Sequence, residues 1–290
     1  MKNILITGAG SFVGSSVQRH LEQFPNKYKV KSVSTKNGEW IELDFSSFYT
    51  VYHVAGLAHS DIGKVTDEIK AEYYAVNTDL AVSIAKKAKA AGVKQFIFMS
   101  SAIVYGDSAP IGQEKMITVS TPYNPTNFYS KSKVQAEKGI LPLQNDSFKV
   151  VILRCPMIYG KEGKGNFPIL EKLAQKILLF PKVENKRSML YITNLAEFVR
   201  LMIENEESGI FWPCNKEWSN TSELIKMIAV CHKKKTILVP GFSWVLKLMA
   251  HLTGHVNKAF GNLAYEEHLG DYKEEYRLYT LAQSIEEIES

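Results

Sequence analysis

The opening of the chain, Asn3-Ile4-Leu5-Ile6-Thr7-Gly8-Ala9-Gly10-Ser11-Phe12-Val13-Gly14, restricts the fold more than any other stretch. The apolar run Asn3–Thr7 predicts a buried strand. Helical spacing over Phe12–Phe24, with Val13, Val17 and Leu21 on one stripe and Pro25 after it, predicts a helix. Between them Gly8 permits a tight turn, Gly10 lets the backbone approach a pyrophosphate, and Gly14 allows the helix to pack closely on the strand. The helix N-terminus then stabilises the anion. Glycines also occupy ordinary turns, so this spacing alone is weak. Placed directly after the first strand and ahead of a helix, it predicts a dinucleotide site at Gly8, Gly10, Ser11, Phe12, Val13 and Gly14.

The rest of the first half keeps the rhythm. Strands are expected at Lys29–Ser34, Thr50–Val54, Lys94–Met99 and Phe148–Leu153, and helices at Ala71–Ala91, closed by Gly92, and at Tyr129–Leu141. Near-continuous apolar character at Phe48–Val54 and Phe148–Leu153 suits strands buried on both faces. Such alternation implies an α/β, Rossmann-type, doubly wound parallel sheet, which binds ligands beyond the carboxyl ends of its strands. The Gly8 loop, Ala55-Gly56 and Ser100-Ser101 all fall at such ends. After Gly160 the pattern loosens: helices at Phe167–Leu179, Asn194–Ile203 and Ser222–His232, with a strand at Arg187–Ile192, predict a smaller α+β substrate lobe. The expected division is a dinucleotide-binding domain over 1–160, with a return near 187–213, and a mainly substrate-binding lobe over 161–290.

The 290 residues suffice for such a core, and a hydrophobic content of 45% against 22% charged is ordinary for a globular chain. A net charge of +5, spread along the sequence, fits an anionic small ligand or a solvated surface and gives little support to nucleic acid. Cys155, Cys214 and Cys231 are widely spaced, as buried thiols in a reducing compartment would be. The N-terminus reads as a strand rather than a signal peptide, and no stretch approaches the ~20 apolar residues of a membrane span, so a cytoplasmic location is expected. The seven histidines show no metal-ligand spacing; His53 and His59 are expected beside the cofactor cleft, and no metal site is predicted.

Tyr129 and Lys133 are four apart and project from one helical face, where a lysine can lower the phenol's pKa toward neutrality and poise it as general acid/base. Ser101 would orient the same substrate oxygen. Lys133 would also bind the nicotinamide ribose. At the end of the second strand, Ser32-Val33-Ser34-Thr35-Lys36 carries no carboxylate until Glu39, which favours NADP, with Ser34 and Lys36 as contacts of the 2′-phosphate. The alternative is NAD held elsewhere and an exposed lysine. Asp44 either hydrogen-bonds the adenine amino group or caps a turn.

These pieces resemble the extended short-chain dehydrogenase/reductases of the NAD-dependent epimerase/dehydratase family. The likeness rests on Thr7–Gly14, His53-Val54-Ala55-Gly56-Leu57-Ala58-His59, Val76-Asn77-Thr78, Ser100-Ser101-Ala102-Ile103-Val104-Tyr105-Gly106, Tyr129–Lys133, Leu153-Arg154-Cys155-Pro156-Met157-Ile158-Tyr159-Gly160 and Arg187–Asn194, in family order across nearly the whole chain. The resemblance implies that Ala55, Gly56, Leu57, Ser100 and Met157 line the cofactor and that Asn77 buttresses the central sheet. It further implies that Met157 to Tyr159 flank nicotinamide and sugar, and that Asn166 and Arg187 contact the diphosphate of a nucleotide-sugar, a UDP-hexose foremost. A guanidinium suits phosphate because it binds bidentately; a structural ion pair is the alternative for Arg187. Ser11, Met157 and Asn194 depart from a frequent glycine, asparagine and aspartate of the family. Sugar 4,6-dehydratases of the family follow the catalytic hydroxyl with an Asp-Glu pair, whereas Ala102-Ile103 stand here and cannot move protons.

The activity expected from this resemblance is a nucleotide-sugar C4 epimerase acting by transient hydride transfer, serving cell-surface polysaccharide. An NADPH-dependent 4-keto-sugar reductase is the rival, and a cofactor-binding regulatory protein without turnover a third possibility. Lys233-Lys234-Lys235 beside the apolar Phe242–Leu252 suits contact with an anionic membrane surface, a helix packed into the lobe, or a homodimer contact.

Overall fold

The structure, a computed structural model, describes residues 1–58, 65–163, 166–241 and 260–290. Strand β1 (Lys2–Thr7) buries Ile4, Leu5 and Ile6 completely. It lies between β2 (Tyr28–Val33) and β3 (Thr50–His53), and the sheet continues through β4 (Gln95–Ser101) and β6 (Lys149–Cys155) to β10 (Gly209–Phe211). All five pairings are parallel. The chain leaves β1 for β2 on one side and returns to β3 on the other, so β1 and β3 flank the point where strand order reverses. A ligand crevice is expected there.

The element types match the sequence reading, and the bounds move by a few residues. Helix α1 (Phe12–Glu22) carries Val17 and Leu21 inward. A single turn, α2, covers Glu39–Glu42. The expected helix at Ala71–Ala91 begins earlier, at α3 (Asp67–Tyr74), capped by the Thr66 hydroxyl. It passes through a π-helical turn at Ala75–Asp79 and continues as α4 (Leu80–Ala90), and Gly92 at φ +79° ends it. Helix α5 (Phe128–Ile140) starts at a capping box in which Asn127 Oδ1 accepts from Ser130 N at 2.9 Å and Ser130 Oγ accepts from Asn127 N at 3.0 Å. Leu5, Val51, Phe96, Phe98, Val150 and Ile152 from the sheet meet Ile84, Ala85 and Ala88 of α4 and Ala136 and Ile140 of α5 in one buried core.

Two compact units divide the chain. The first comprises Met1–Gly106, Tyr123–Cys155 and Leu195–Pro213; the second comprises Asp107–Pro122, Pro156–Asn194 and Cys214–Ser290. The break falls at Cys155, the return begins at Leu195 rather than near 187, and Asp107–Pro122 is an excursion the sequence did not announce. In the second unit short strands pair in twos: β5 (Met116–Ile117) with β12 (Ala264–Tyr265), β7 (Met157–Tyr159) with β9 (Met189–Tyr191), and β8 (Leu179–Pro181) with β11 (Ile237–Val239). The predicted helix Phe167–Leu179 is therefore shorter, α6 (Asn166–Ala174), because Leu179–Pro181 is drawn into pairing. The predicted strand Arg187–Ile192 shrinks because Ile192 opens α7 (Ile192–Glu204). Helix α8 (Thr221–Cys231) follows, and a last helix, α9 (Leu281–Glu289), was not read from the sequence. Phe242–Leu252 and His59 lie outside the described residues. No helix among the described residues is long and apolar enough to cross a membrane.

Helix α5 approaches α4 closely at Gly139, where an added Cβ would stand 2.6 Å from Val82 Cγ2. Gly139→Ala is expected to destabilise the protein by about 1–3 kcal/mol through overpacking. Val82→Ala in the same chain should recover most of that loss. Urea unfolding of the two single variants and the double variant gives the coupling.

Candidate active site

The glycine loop at the carboxyl end of β1 is shaped by three different demands. Gly8 has φ +118°, and a Cβ there would meet Ala55 N at 2.8 Å, so the turn and the approach of the β3 loop both require glycine. Gly14 is hemmed in by Ser11 Oγ at 2.7 Å and Val54 Cγ2 at 3.1 Å from a would-be Cβ, the close strand–helix packing expected of it. Gly10, at φ +75°, is the opposite case: nothing lies within 4 Å of its would-be Cβ. An exposed backbone with open space before a helix N-terminus is the cradle a diphosphate needs, so these residues fit a dinucleotide. Ser11 is the N-cap of α1, its Oγ accepting from Gly14 N at 3.1 Å. Phe12 and Val13 form the first turn, presenting the positive end of the helix.

Beside this loop, at the end of β3, His53 is buried, with Nδ1 2.7 Å from Thr7 Oγ1 and its ring stacked with Phe96 and Phe98. Burial, with Lys133 nearby, pulls its pKa down to about 3, so it is a neutral core histidine. Ala55, Gly56 and Leu57 follow. The Asn77 side chain, placed by the π-helical turn, accepts from Leu57 N at 2.8 Å, donates to Leu57 O at 3.1 Å and donates to Ser132 Oγ at 3.1 Å. Asn77 therefore pins the loop after β3 to α5; it does not brace the sheet itself. At the end of β2, Ser34 Oγ accepts from Lys36 N at 3.2 Å, and the Lys36 side chain is exposed, with no carboxylate before Glu39. Asp44 accepts from Ser46 N at 2.9 Å and from Ser46 Oγ at 2.7 Å, which is the turn-capping alternative.

Ser101, Tyr129 and Lys133 come together within the first unit. Ser101 ends β4, and its Oγ accepts from Ile103 N at 3.3 Å. It also lies close enough to the Tyr129 phenol to pull the phenol's pKa down. The Tyr73 ring packs edge-on against Tyr129 at 6.1 Å. One turn further along α5, Lys133 is buried, donates to Met99 O at 2.9 Å and lies over the Phe98 ring. Its Nζ would be 3.3 Å from a Cβ on Gly56, so glycine there keeps the floor of the crevice open above the ammonium. The expected lowering of the phenol by Lys133 is not what the protein alone displays. Burial outweighs the effect of the Ser101 hydroxyl and pushes Tyr129 up to about 12, while burial pulls Lys133 down to about 8.

A buried polar network behind these residues escaped the sequence reading. Ser100 points away from Ser101 and donates to Glu137, so its hydroxyl is committed to the interior and its backbone is what remains for the cofactor lining expected of it. Glu137 in turn receives Arg154 Nη2 at 2.7 Å, Arg154 Nε at 3.1 Å and the Tyr123 hydroxyl at 2.7 Å. Arg154 also donates to the Tyr105 hydroxyl at 2.6 Å, as does Trp212 Nε1 at 2.7 Å. A Glu four residues after the lysine was the available signal, but only the fold shows that an arginine 17 residues later meets it.

In the second unit, Arg187 is largely buried and donates to Gly261 O at 2.9 Å and Ser108 Oγ at 3.3 Å. No carboxylate pairs with it among the described residues, and burial pulls its pKa down to about 10. The ion-pair alternative is therefore not seen. Met157 sits on β7, half-buried. Tyr159 is fully buried, its hydroxyl 2.6 Å from Ser284 Oγ and accepting from Asn215 Nδ2 at 2.7 Å; it belongs to the core of this unit and does not flank a ligand. Asn194 exchanges hydrogen bonds with the Tyr279 backbone, a structural role. Asn166 opens α6, and its side chain lies outside the described residues.

The depressed Lys133 has a consequence for stability. The unfolded chain holds this proton to about the ordinary 10.5 and the folded chain only to about 8. Below pH 8 the full cost of burying the ammonium is carried; between 8 and 10.5 the unfolded state binds more protons and stability rises with pH. Lys133→Met should therefore be more stable than the parent at pH 7, by up to about 3 kcal/mol, with the difference vanishing toward pH 10. Urea unfolding at pH 7 and 9.5 tests this, and a variant less stable at pH 7 would refute it.

Residues 4–211 match the NAD dependent epimerase/dehydratase family. The chain is 32% identical over 279 residues to a UDP-glucose 4-epimerase of Vibrio cholerae, an alignment spanning 87% of this chain and 83% of that protein. It is 26% identical over 255 residues to N-acetyl-alpha-D-glucosaminyl-diphospho-ditrans,octacis-undecaprenol 4-epimerase of Escherichia coli O157:H7, covering 80% of this chain and 73% of that one. Among solved structures, a dTDP-4-dehydrorhamnose reductase from Clostridium acetobutylicum superposes with a TM-score of 0.74 at 18% identity, over 99% of this chain and 98% of that one, a likeness of fold. With its glycine loop, parallel sheet and Ser101–Tyr129–Lys133 constellation, the chain belongs to the NAD dependent epimerase/dehydratase family, as an NAD(P)-dependent enzyme of the extended short-chain dehydrogenase/reductase type.

Proposed function

We propose that this protein is a nucleotide-sugar C4 epimerase acting on a UDP-hexose. The observation that carries the proposal is the convergence of the Ser101 hydroxyl on the Tyr129 phenol, with Lys133 one helical turn below, at the strand ends that face the glycine loop. Ser101 holds the reacting oxygen. The Tyr129 phenolate takes the proton of the 4-hydroxyl, and the Lys133 ammonium stabilises that phenolate. A bound nicotinamide supplies a hydride acceptor at the sugar carbon, and a positive charge in its oxidised form. With a hydride held and returned there, the chain's own part would be to leave the 4-keto sugar room to turn its other face and to give the proton back from Tyr129, so that no net oxidation would occur. Arg187, without a carboxylate partner among the described residues, and Asn166 are the proposed diphosphate contacts. The relative in Vibrio cholerae, a UDP-glucose 4-epimerase, supports the UDP-hexose assignment. Ala102-Ile103 after the serine supply no acid or base for eliminating water, which sets dehydration aside.

One observation favours a second reading. The end of β2 offers Ser34 and the exposed Lys36 and no acidic residue, the polarity that suits a 2′-phosphate. An NADPH-dependent 4-keto-sugar reductase would use it, whereas an epimerase recycles its cofactor in place.

The purified protein separates the two. Under the epimerase reading it retains NAD and interconverts UDP-glucose and UDP-galactose, or their N-acetyl forms, with no change in absorbance at 340 nm. Under the reductase reading it consumes NADPH only when given a 4-keto sugar. Tyr129→Phe should lower kcat by about 10²-fold or more while leaving cofactor affinity within a factor of about two; undiminished turnover would refute this site. Lys36→Ala should weaken NADPH by about tenfold and leave NADH unchanged if a 2′-phosphate is held there, and equal effects on both would remove the second reading.

A further inference from the structure

In the second unit, three helices converge on a group of side chains that plays no part in hydride transfer. Glu171 of α6, His232 at the C-cap of α8 and Glu289 of α9 each offer one ligand atom, all within 4.8 Å of one another. His232 Nε2 is 2.5 Å from Glu289 Oε2. Gln175, one helical turn after Glu171, brings its amide nitrogen 3.1 Å from the same imidazole nitrogen. The Glu289 side chain is only 2% exposed, and its second oxygen, Oε1, is buried with no hydrogen-bond partner among the described residues.

Protein atoms alone serve this arrangement poorly. A buried carboxylate oxygen without a donor carries an uncompensated desolvation cost, and a second carboxylate close by adds repulsion. The imidazole offsets at most one of the two negative charges. A divalent cation answers all of these demands, taking the Nε2 lone pair and one oxygen from each carboxylate. Oxygen and nitrogen of a glutamine amide are interchangeable by a flip, which would turn the Gln175 oxygen toward the same point as a fourth donor. One imidazole, two carboxylates and an amide oxygen form a nitrogen/oxygen set of the kind that holds zinc, and His232, 28% exposed, leaves a path for entry.

We propose that Glu171, His232 and Glu289 form a divalent transition-metal site, with zinc the best-fitting ion, that clips the C-terminal helix α9 to α6 and α8. The three residues come from segments far apart in the chain, so no spacing motif announces them; the expectation of no metal site rested on spacing alone. The assignment is independent of the C4 chemistry and would stand if the substrate proved different.

The test uses the full chain with any affinity tag removed, stripped with chelator, exchanged into chelator-free buffer and titrated with Zn²⁺ by calorimetry. Uptake of one equivalent and a rise in Tm that EDTA reverses are expected, because an ion bound only by the folded state stabilises it. Glu171→Gln leaves the His232–Glu289 pair in place and should weaken uptake by about tenfold or more and shrink the Tm rise; His232→Gln should act likewise. X-ray absorption at the zinc edge should show nitrogen and oxygen neighbours without sulfur. Absence of saturable uptake at micromolar Zn²⁺, uptake unchanged in both variants, a sulfur neighbour from Cys231, or Mg²⁺ binding as tightly as Zn²⁺ would each overturn the proposal.

Discussion

A carboxylate with no solvent contact, Glu137, secures helix α5 to the sheet, and the candidate active site is arranged around it. Arg154 of β6 meets it with two nitrogens, Ser100 of β4 and Tyr123 donate to it, and Tyr105 takes up a further guanidinium hydrogen. Such a pair contributes little over an apolar replacement when intact, yet removing one partner costs about 3–5 kcal/mol. Its value here is positional. The same helix carries Lys133 one turn earlier and Tyr129 two turns earlier, while the strand that supplies Ser100 supplies Ser101 next to it on the opposite face. Fixing Glu137 therefore fixes the relation between the hydroxyl and the phenol. Its charge also supports the ammonium at Lys133 against the desolvation that opposes it.

The opposing shifts at Tyr129 and Lys133 describe a site that is not poised by the protein alone. Sequence reasoning paired the two by spacing and assigned the lysine the task of lowering the phenol. In the structure the lysine donates to Met99 O, and burial dominates both groups. Low dielectric disfavours both the phenolate and the ammonium, and the Ser101 hydroxyl and the Glu137 charge offset only part of that cost. It also magnifies the effect of any charge that enters the crevice. The same burial that raises the phenol makes it responsive to what binds beside it.

Much of this was legible in the chain because it is local. The glycine loop, the Tyr129–Lys133 spacing and the apolar strands depend on neighbours a few residues away, and all appear where periodicity put them. What escaped was non-local. Glu137 with Arg154, the two-residue strands β5 and β12, and the excursion at Asp107–Pro122 are defined by partners distant in sequence. Helix α9 is a different kind of miss. Thr280 and Gln283 form a capping box ahead of an apolar stripe at Leu281, Ile285 and Ile288, so the signal was present and unused. Tyr159 shows the limit of carrying roles by resemblance, since its hydroxyl is occupied in holding its own unit together.

The π-helical turn at Ala75–Asp79 sets a phase relation as well as a side-chain position. An α-helix advances about 100° per residue, so the wide turn decides which way the buried stripe of α4, at Ala81, Ile84, Ala85 and Ala88, faces once Asn77 has been set against Leu57. Excising one residue there would restore regular winding, but it would rotate that stripe by roughly a quarter-turn off the sheet or carry the amide off the loop. Length in this segment is consequently constrained even where residue identity is not, and natural variation should tolerate exchanges at the exposed Ala75 and Asp79 far better than gaps.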